Sequence, residues 1–88
     1  MLYPIPIAVK PIEDFQLLVT FEGGEKRIYD AKPLIKGDWF GQLRDISKFN
    51  TAKIVSNTVE WADGQDIAPD ELYFASKRVI GLGYGAPK

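Results

Sequence analysis

Four acidic side chains within nine residues are the groups whose types and spacing could do chemistry in this chain. They are Asp63, Asp66, Asp70 and Glu71. Carboxylates this close together could bind a divalent cation or act as an acid–base pair. A calcium loop, however, needs oxygen ligands at alternating positions, then a glycine and a distal glutamate. The segment does not have that spacing.

A structural interpretation also explains these acids. Asp63 precedes Gly64, and an Asp-Gly pair is a strong turn signal. Pro69 suits the first position of a helix, where Asp70 and Glu71 would stabilise the helix dipole. We therefore predict turn and cap groups here, with no catalytic residue, no metal ligand and no cofactor. A divalent-metal or acid–base site on Asp63, Asp66 and Asp70 stays as an alternative.

The composition excludes several further classes of function. The 88 residues include no cysteine and no histidine. Disulfides, zinc thiolates, iron–sulfur clusters and thiol catalysis are therefore excluded, and the commonest general base is missing. Eleven basic and twelve acidic residues give a net charge of -1, which offers no basic footprint for nucleic acid. We expect a protein that is not an enzyme.

The C-terminal stretch differs from the rest in composition. We predict one domain over residues 1–76 and a flexible, basic, glycine-rich tail over 77–88. The glycines at 81, 83 and 85 are not followed by the helix that a phosphate loop requires. Aromatic and basic side chains interleave around this tail and could stack single-stranded nucleic acid. They are Tyr73, Phe74, Lys77, Arg78, Tyr84 and Lys88.

The elements that must position these groups begin with three strands. Residues 5–10 alternate, with prolines that confine this strand to a sheet edge. Residues 15–22 alternate strictly except at Leu18, as a half-buried strand does. Gly23-Gly24 then predicts a tight hairpin turn into a partner strand over residues 25–30.

The middle of the chain predicts a helix of two to three turns with Asp38 as its N-cap. Trp39, Leu43 and Ile46 recur at helical spacing, so we expect Trp39, like Trp61, in the core, with Phe49 at the helix end. The alternative makes both tryptophans interface anchors. A second hairpin (residues 53–61) and a short helix (residues 69–76) follow. The order β-β-β-α-β-β-α indicates an α+β fold, with a small antiparallel sheet covered on one face by one or two short helices.

Three segments in this order resemble a small bacterial family, domain of unknown function 2442. The first is Phe15-x-Leu17-x-Val19-x-Phe21-x-Gly23-Gly24-Glu25. The second is Tyr29-Asp30, then Pro33-Leu34 and Trp39-Phe40-x-x-Leu43-Arg44-Asp45-x-x-x-Phe49. The third and most distinctive is Trp61-x-x-Gly64-x-Asp66-Ile67-Ala68-Pro69-Asp70-x-Leu72-Tyr73. We expect the named residues of this third segment to be structural.

The resemblance implies a small α+β unit with an antiparallel sheet and no established catalytic residue. Some members resemble partners of small toxin-like proteins encoded beside them. Others continue into a helix-turn-helix domain, which we do not expect here because the chain ends soon after Tyr73. We therefore expect a non-enzymatic, intracellular protein-interaction module. Its expected role is that of the antitoxin-like partner of a neighbouring small protein. The alternative is a nucleic-acid-associated regulator that uses the basic tail.

Location and assembly are also expectations at this level. No signal peptide and no apolar run of about 18 residues is present, so we expect a cytoplasmic protein without a membrane segment. Another small protein is the expected partner, and nucleic acid is a weaker candidate. Edge strands in so small a sheet also allow a homodimer, unless Pro4 and Pro6 block the first one.

Overall fold

A computed structural model describes residues 3–79 and confirms the α+β class. A four-stranded antiparallel sheet has the order β1-β2-β3-β6, and β4 and β5 form a separate hairpin. The strands are β1 (Pro6–Ile12), β2 (Gln16–Phe21), β3 (Lys26–Asp30), β4 (Lys53–Val55), β5 (Thr58–Glu60) and β6 (Lys77–Arg78). The helices are α1 (Ile46–Phe49) and α2 (Pro69–Phe74), with short 3-10 turns at Glu22–Gly24, Lys32–Leu34 and Phe40–Arg44.

Strand β2 lies in the interior of the sheet and follows the predicted alternation. Leu17, Val19 and Phe21 are fully buried on one side, which we call the core face. Tyr29 of β3 is opposite Leu17 and is buried with it. Leu18, the exception to the alternation, lies on the other side of the sheet, because successive side chains of a strand point to opposite faces.

The first hairpin and the edge strand are as predicted. Gly23 and Gly24 adopt φ angles of 89° and 94°, which L side chains rarely adopt. Strand β1 pairs only with β2 and is an edge of the sheet. Proline cannot donate a ladder hydrogen bond, so Pro6 and Pro11 are compatible with that position.

The prediction of one continuous helix from Asp38 was wrong. A 3-10 turn (Phe40–Arg44) precedes α1, and Asp45 between them has an extended ψ of 113°. The Asp45 side chain accepts a hydrogen bond from the Ser47 N–H and so starts a new helix. Gly41 weakens a helix at this point. Trp39, which precedes the 3-10 turn, is 49% exposed, so its predicted place in the core was also wrong.

The second hairpin and the second helix are confirmed. Ser56 and Asn57, with φ of 51° and 68°, form the turn between β4 and β5. Pro69 is the first residue of α2. Lys77 and Arg78, which the sequence assigns to the tail, form β6 and pair with Ile28 and Arg27. The tail from residue 80 onward lies outside the described residues.

The core lies between the core face of the sheet and the elements packed on it. Its largest side chain is Trp61, which is 1% exposed, and Phe49, Val59, Ile67 and Leu72 surround it in the same cluster. The sheet, α1, β5 and α2 therefore share one core. None of the helices within residues 3–79 is long and apolar enough to cross a membrane.

Replacement of the two tryptophans tests this arrangement. Trp61→Phe should lower the free energy of unfolding by about 2–3 kcal/mol, because it leaves a cavity and removes the partner of a buried carbonyl. Trp39→Phe, the matched control at the half-exposed position, should change it by less than about 0.5 kcal/mol. Urea denaturation followed by circular dichroism measures both. Equal losses in the two variants would contradict this core.

Candidate interaction surface

The segment from Trp61 to Tyr73 folds back along β5 before it enters α2. The Trp61 N–H donates to the Gln65 carbonyl at 2.8 Å, and the Ile67 N–H donates to the Val59 carbonyl at 3.1 Å. The buried Thr58 hydroxyl donates to the Ile67 carbonyl at 2.6 Å. The loop is therefore held by backbone hydrogen bonds at both ends.

Two hydrogen bonds join this loop to the end of α1. The Trp61 indole N–H donates to the Phe49 carbonyl at 2.9 Å. The Ala62 N–H donates to the Thr51 hydroxyl, also at 2.9 Å. Buried indole N–H groups normally have such a partner, so the position of Trp61 fixes the distance between the loop and α1.

Trp39 rests on this loop although half of its surface is exposed. The buried Gln65 donates its side-chain N–H to the Trp39 carbonyl at 3.0 Å. The indole ring lies against Gly64, where a Cβ atom would be 3.6 Å from ring atom Cζ2. Gly64 has a φ of 107°, and its N–H donates to the Trp61 carbonyl, as the predicted turn requires. Trp39 is therefore both supported and accessible.

A cleft of about 90 Å³ lies beside the same turn. Trp61 and Leu43 contribute its apolar wall, and Lys48 and Asp63 form an ion pair of 3.3 Å at its rim. Gln65 also lines it, and no donor from residues 3–79 reaches the buried Gln65 Oε1. We call Trp39, Gly64 and the cleft residues Lys48, Asp63 and Gln65 the Trp39 surface.

The structure does not bring the acids of this segment together. Asp63 pairs with Lys48, exposed Asp66 forms a backbone bridge with Glu60, and Asp70 accepts from the Glu71 N–H at 2.9 Å. Within residues 3–79 there is no group of three acidic side chains that could hold a metal ion.

The other residues of the segment belong to α2 and its contacts. Pro69 begins the helix, Leu72 is fully buried, and Tyr73 is half-buried. Glu71, which follows Asp70, accepts a hydrogen bond from the Tyr29 hydroxyl at 3.3 Å. Burial, together with the charge of Glu71, raises the pKa of Tyr29 far above its usual value.

A second polar group, centred on Arg27, was not predicted. The Arg27 guanidinium donates to the Ser76 hydroxyl and carbonyl at 2.7 Å and to Glu25 at 2.8 Å. It also stacks on Tyr73, 4.3 Å from the ring centre. Arg27 and Ser76 are 49 positions apart, so no local pattern could reveal the contact. All three guanidinium nitrogens have partners, which makes the group a clamp between β3 and the end of α2.

Glu25 completes this clamp. The Tyr73 hydroxyl donates to it at 2.9 Å, and Arg78 of β6 donates at 3.3 Å. The hydrogen bond from Tyr73, followed by that from Arg27, lowers the pKa of the Glu25 carboxyl. The same bond raises the pKa of the Tyr73 hydroxyl. The ionised Glu25 thus joins β3, α2 and β6.

Sequence reasoning also missed Lys48, Thr51 and Gln65. Each is an ordinary polar residue in a loop or a short helix, and no spacing marks it. Their role follows from contacts across the fold, such as the hydrogen bond between Gln65 and Trp39, 26 positions apart.

Substitution of Glu25 tests whether the contribution of the clamp to the free energy of unfolding depends on pH. A carboxyl whose folded pKa is lowered contributes stability above its unfolded pKa, here the usual 4.5, and loses that contribution as pH falls through the folded pKa. The stability difference between the native protein and Glu25→Gln should therefore be largest near neutral pH and shrink in acid. Urea denaturation across this pH range measures it.

The control is Glu22→Gln, which removes an exposed carboxylate of the preceding turn. Because Glu22 is exposed, we expect this substitution to change the free energy of unfolding by less than about 0.5 kcal/mol at neutral pH. A Glu25→Gln difference that grows in acid would contradict the clamp.

Comparison with known proteins identifies the family to which the chain belongs. The comparisons with curated proteins and with solved structures find no match. The model of a family described as "Protein of unknown function (DUF2442)" matches residues 6–78. That match spans β1 to β6, including the Trp39 surface and the clamp. The resemblance predicted from the three segments is confirmed, and the chain belongs to the DUF2442 family.

Proposed function

We propose that the chain is a non-enzymatic protein-interaction module, the antitoxin-like partner of a small protein encoded next to it, and that it acts in the cytoplasm. The observation that carries the proposal is Trp39, a large aromatic side chain that is half exposed yet held in place. Its carbonyl accepts from buried Gln65, and its ring lies on Gly64.

A supported, exposed tryptophan suits protein recognition for two physical reasons. Tryptophan is among the residues most enriched at binding hot spots, because its ring offers a large apolar area. A side chain that is already ordered also loses less conformational entropy on binding than a free one. The contacts of Trp39 with Gly64 and Gln65 supply that order before any partner arrives.

The surroundings of Trp39 add features expected of an interface. The adjacent cleft of about 90 Å³ could accept a partner side chain. The Lys48–Asp63 ion pair at its rim offers one charge of each sign, and such rim charges contribute more to partner choice than to affinity. We assign no reaction to this surface, since Lys48 and Asp63 pair with each other, the Gln65 side-chain N–H binds the Trp39 carbonyl, and the chain has no histidine or cysteine.

Co-expression with the neighbouring small protein, followed by affinity purification and calorimetry, tests this proposal. Stable co-purification is the expected result. Trp39→Ala should weaken binding by about tenfold or more, as loss of a hot spot does, and should leave Tm nearly unchanged. The matched control is Ile7→Ala, which shortens another exposed apolar side chain (57% exposed) outside the Trp39 surface.

Three outcomes would count against the proposal. The neighbouring protein could fail to bind, Ile7→Ala could weaken binding as much as Trp39→Ala, or both variants could bind normally. A salt-sensitive mobility shift of an oligonucleotide, with no protein complex, would favour the nucleic-acid-associated alternative.

A further inference from the structure

The four-stranded sheet has a second side, away from the core. The strand register places a set of alternating residues on it, and we call this set the open face. It consists of Ala8, Lys10 and Ile12 of β1, Gln16, Leu18 and Thr20 of β2, Lys26, Ile28 and Asp30 of β3, and Lys77 of β6. Their neighbours in sequence alternate onto the core face, where Leu17, Val19 and Tyr29 are buried.

Two aliphatic side chains at the centre of the open face remain partly exposed. Leu18 and Ile28 are directly opposite each other on β2 and β3. Both are half-buried, and neither belongs to the core or to the apolar residues packed against it. They also give β2 and β3 an apolar residue where a half-buried strand ordinarily has a polar one. No element within residues 3–79 packs this apolar pair into the core, so the pair is available to a partner.

Three exposed lysines surround this apolar pair. Lys10 is opposite Leu18, and Lys77 is opposite Ile28, so one row across the sheet has a lysine at each end. Lys26 lies two residues before Ile28 on the same face of β3, and its ammonium group donates to the Thr20 hydroxyl at 3.0 Å. Asp30, the acidic residue of this set, is paired with Lys32 at 2.9 Å. A chain with a net charge of -1 thus presents one positively charged sheet face.

We propose that the open face binds an acidic, amphipathic segment of another protein. Aliphatic side chains of that segment would cover Leu18 and Ile28, and its carboxylates would approach Lys10, Lys26 and Lys77. Charge complementarity of this kind determines partner choice and association rate. The open face shares no residue with the Trp39 surface, so this inference does not rest on the proposed function.

The composition of the open face favours protein over nucleic acid. Sheets that bind single strands stack the bases on aromatic side chains. None of the open-face residues is aromatic. Leu18 and Ile28 offer aliphatic area, which matches the side chains of a peptide.

A peptide titration of the full-length protein tests this inference. The probe is a synthetic peptide of leucine and glutamate with one apolar stripe, and its control replaces each glutamate by lysine. Methyl and amide NMR spectra should show shifts at Leu18 and Ile28 with the acidic peptide and none with the basic one. The binding should weaken as salt increases, because exposed charges are screened.

Variants test the lysines and the apolar pair of the open face separately. The combined Lys10→Glu, Lys26→Glu and Lys77→Glu changes should weaken binding by about tenfold or more. Leu18→Thr, which keeps a strand-forming residue, should also weaken it by about tenfold. Lys36→Glu, a charge reversal at an exposed lysine outside the open face, is the control and should not change it.

Four results would overturn the inference. The first is equal binding of both peptides, and the second is a set of shifts at Leu18 and Ile28 with a single-stranded oligonucleotide instead of the peptide. The third is concentration-dependent shifts without peptide, which would indicate binding of a second copy of the chain. The fourth is the observation of NOEs from residues 80–88 to the Leu18 and Ile28 methyl groups. The lysine variants alter only exposed side chains and should fold. They therefore still test the inference if the Leu18→Thr variant fails to fold.

Discussion

The hydrogen bond from the Trp61 indole N–H to the Phe49 carbonyl joins the end of α1 to the loop that follows β5. A buried N–H that lacks a partner is costly, so the indole can occupy the core only where α1 ends beside it. That position brings Thr51 to the Ala62 N–H and sets the turn at Gly64. The support of Trp39 follows from that turn. The Trp39 surface is thus built on a loop that this core contact anchors.

A second constraint is that, within residues 3–79, the elements packed on the four-stranded sheet lie on one of its sides. The helices and the second hairpin bury the core face of the sheet. Antiparallel sheets tolerate such one-sided burial when the other side is polar. Here that side carries Leu18 and Ile28 among lysines. The Trp39 surface and the open face therefore lie on different parts of the molecule, and each can be altered without the other.

Local patterns predicted those elements whose causes are local. The alternation of β2, the glycines of the first turn and the proline that begins α2 each act through the backbone of their own neighbourhood. The helical spacing of Trp39, Leu43 and Ile46 failed for a comparable reason. The Asp45 side chain, which accepts from Ser47, offers the backbone an extended conformation that divides the helix. The hydrogen bond between Asp45 and Ser47 therefore interrupts the helix that the apolar spacing predicted.

The sequence by itself determined the α+β class, the order of strands and helices from β1 to α2, the family, and the absence of histidine and cysteine chemistry. Only the tertiary structure decided that Trp39 lies outside the core, that Arg27 clamps Ser76, and that Leu18 meets Ile28 among three lysines. The physical reason is the range of the interactions. Turns, caps and alternation act over a few residues, whereas a surface is formed by side chains that packing brings together from distant parts of the chain.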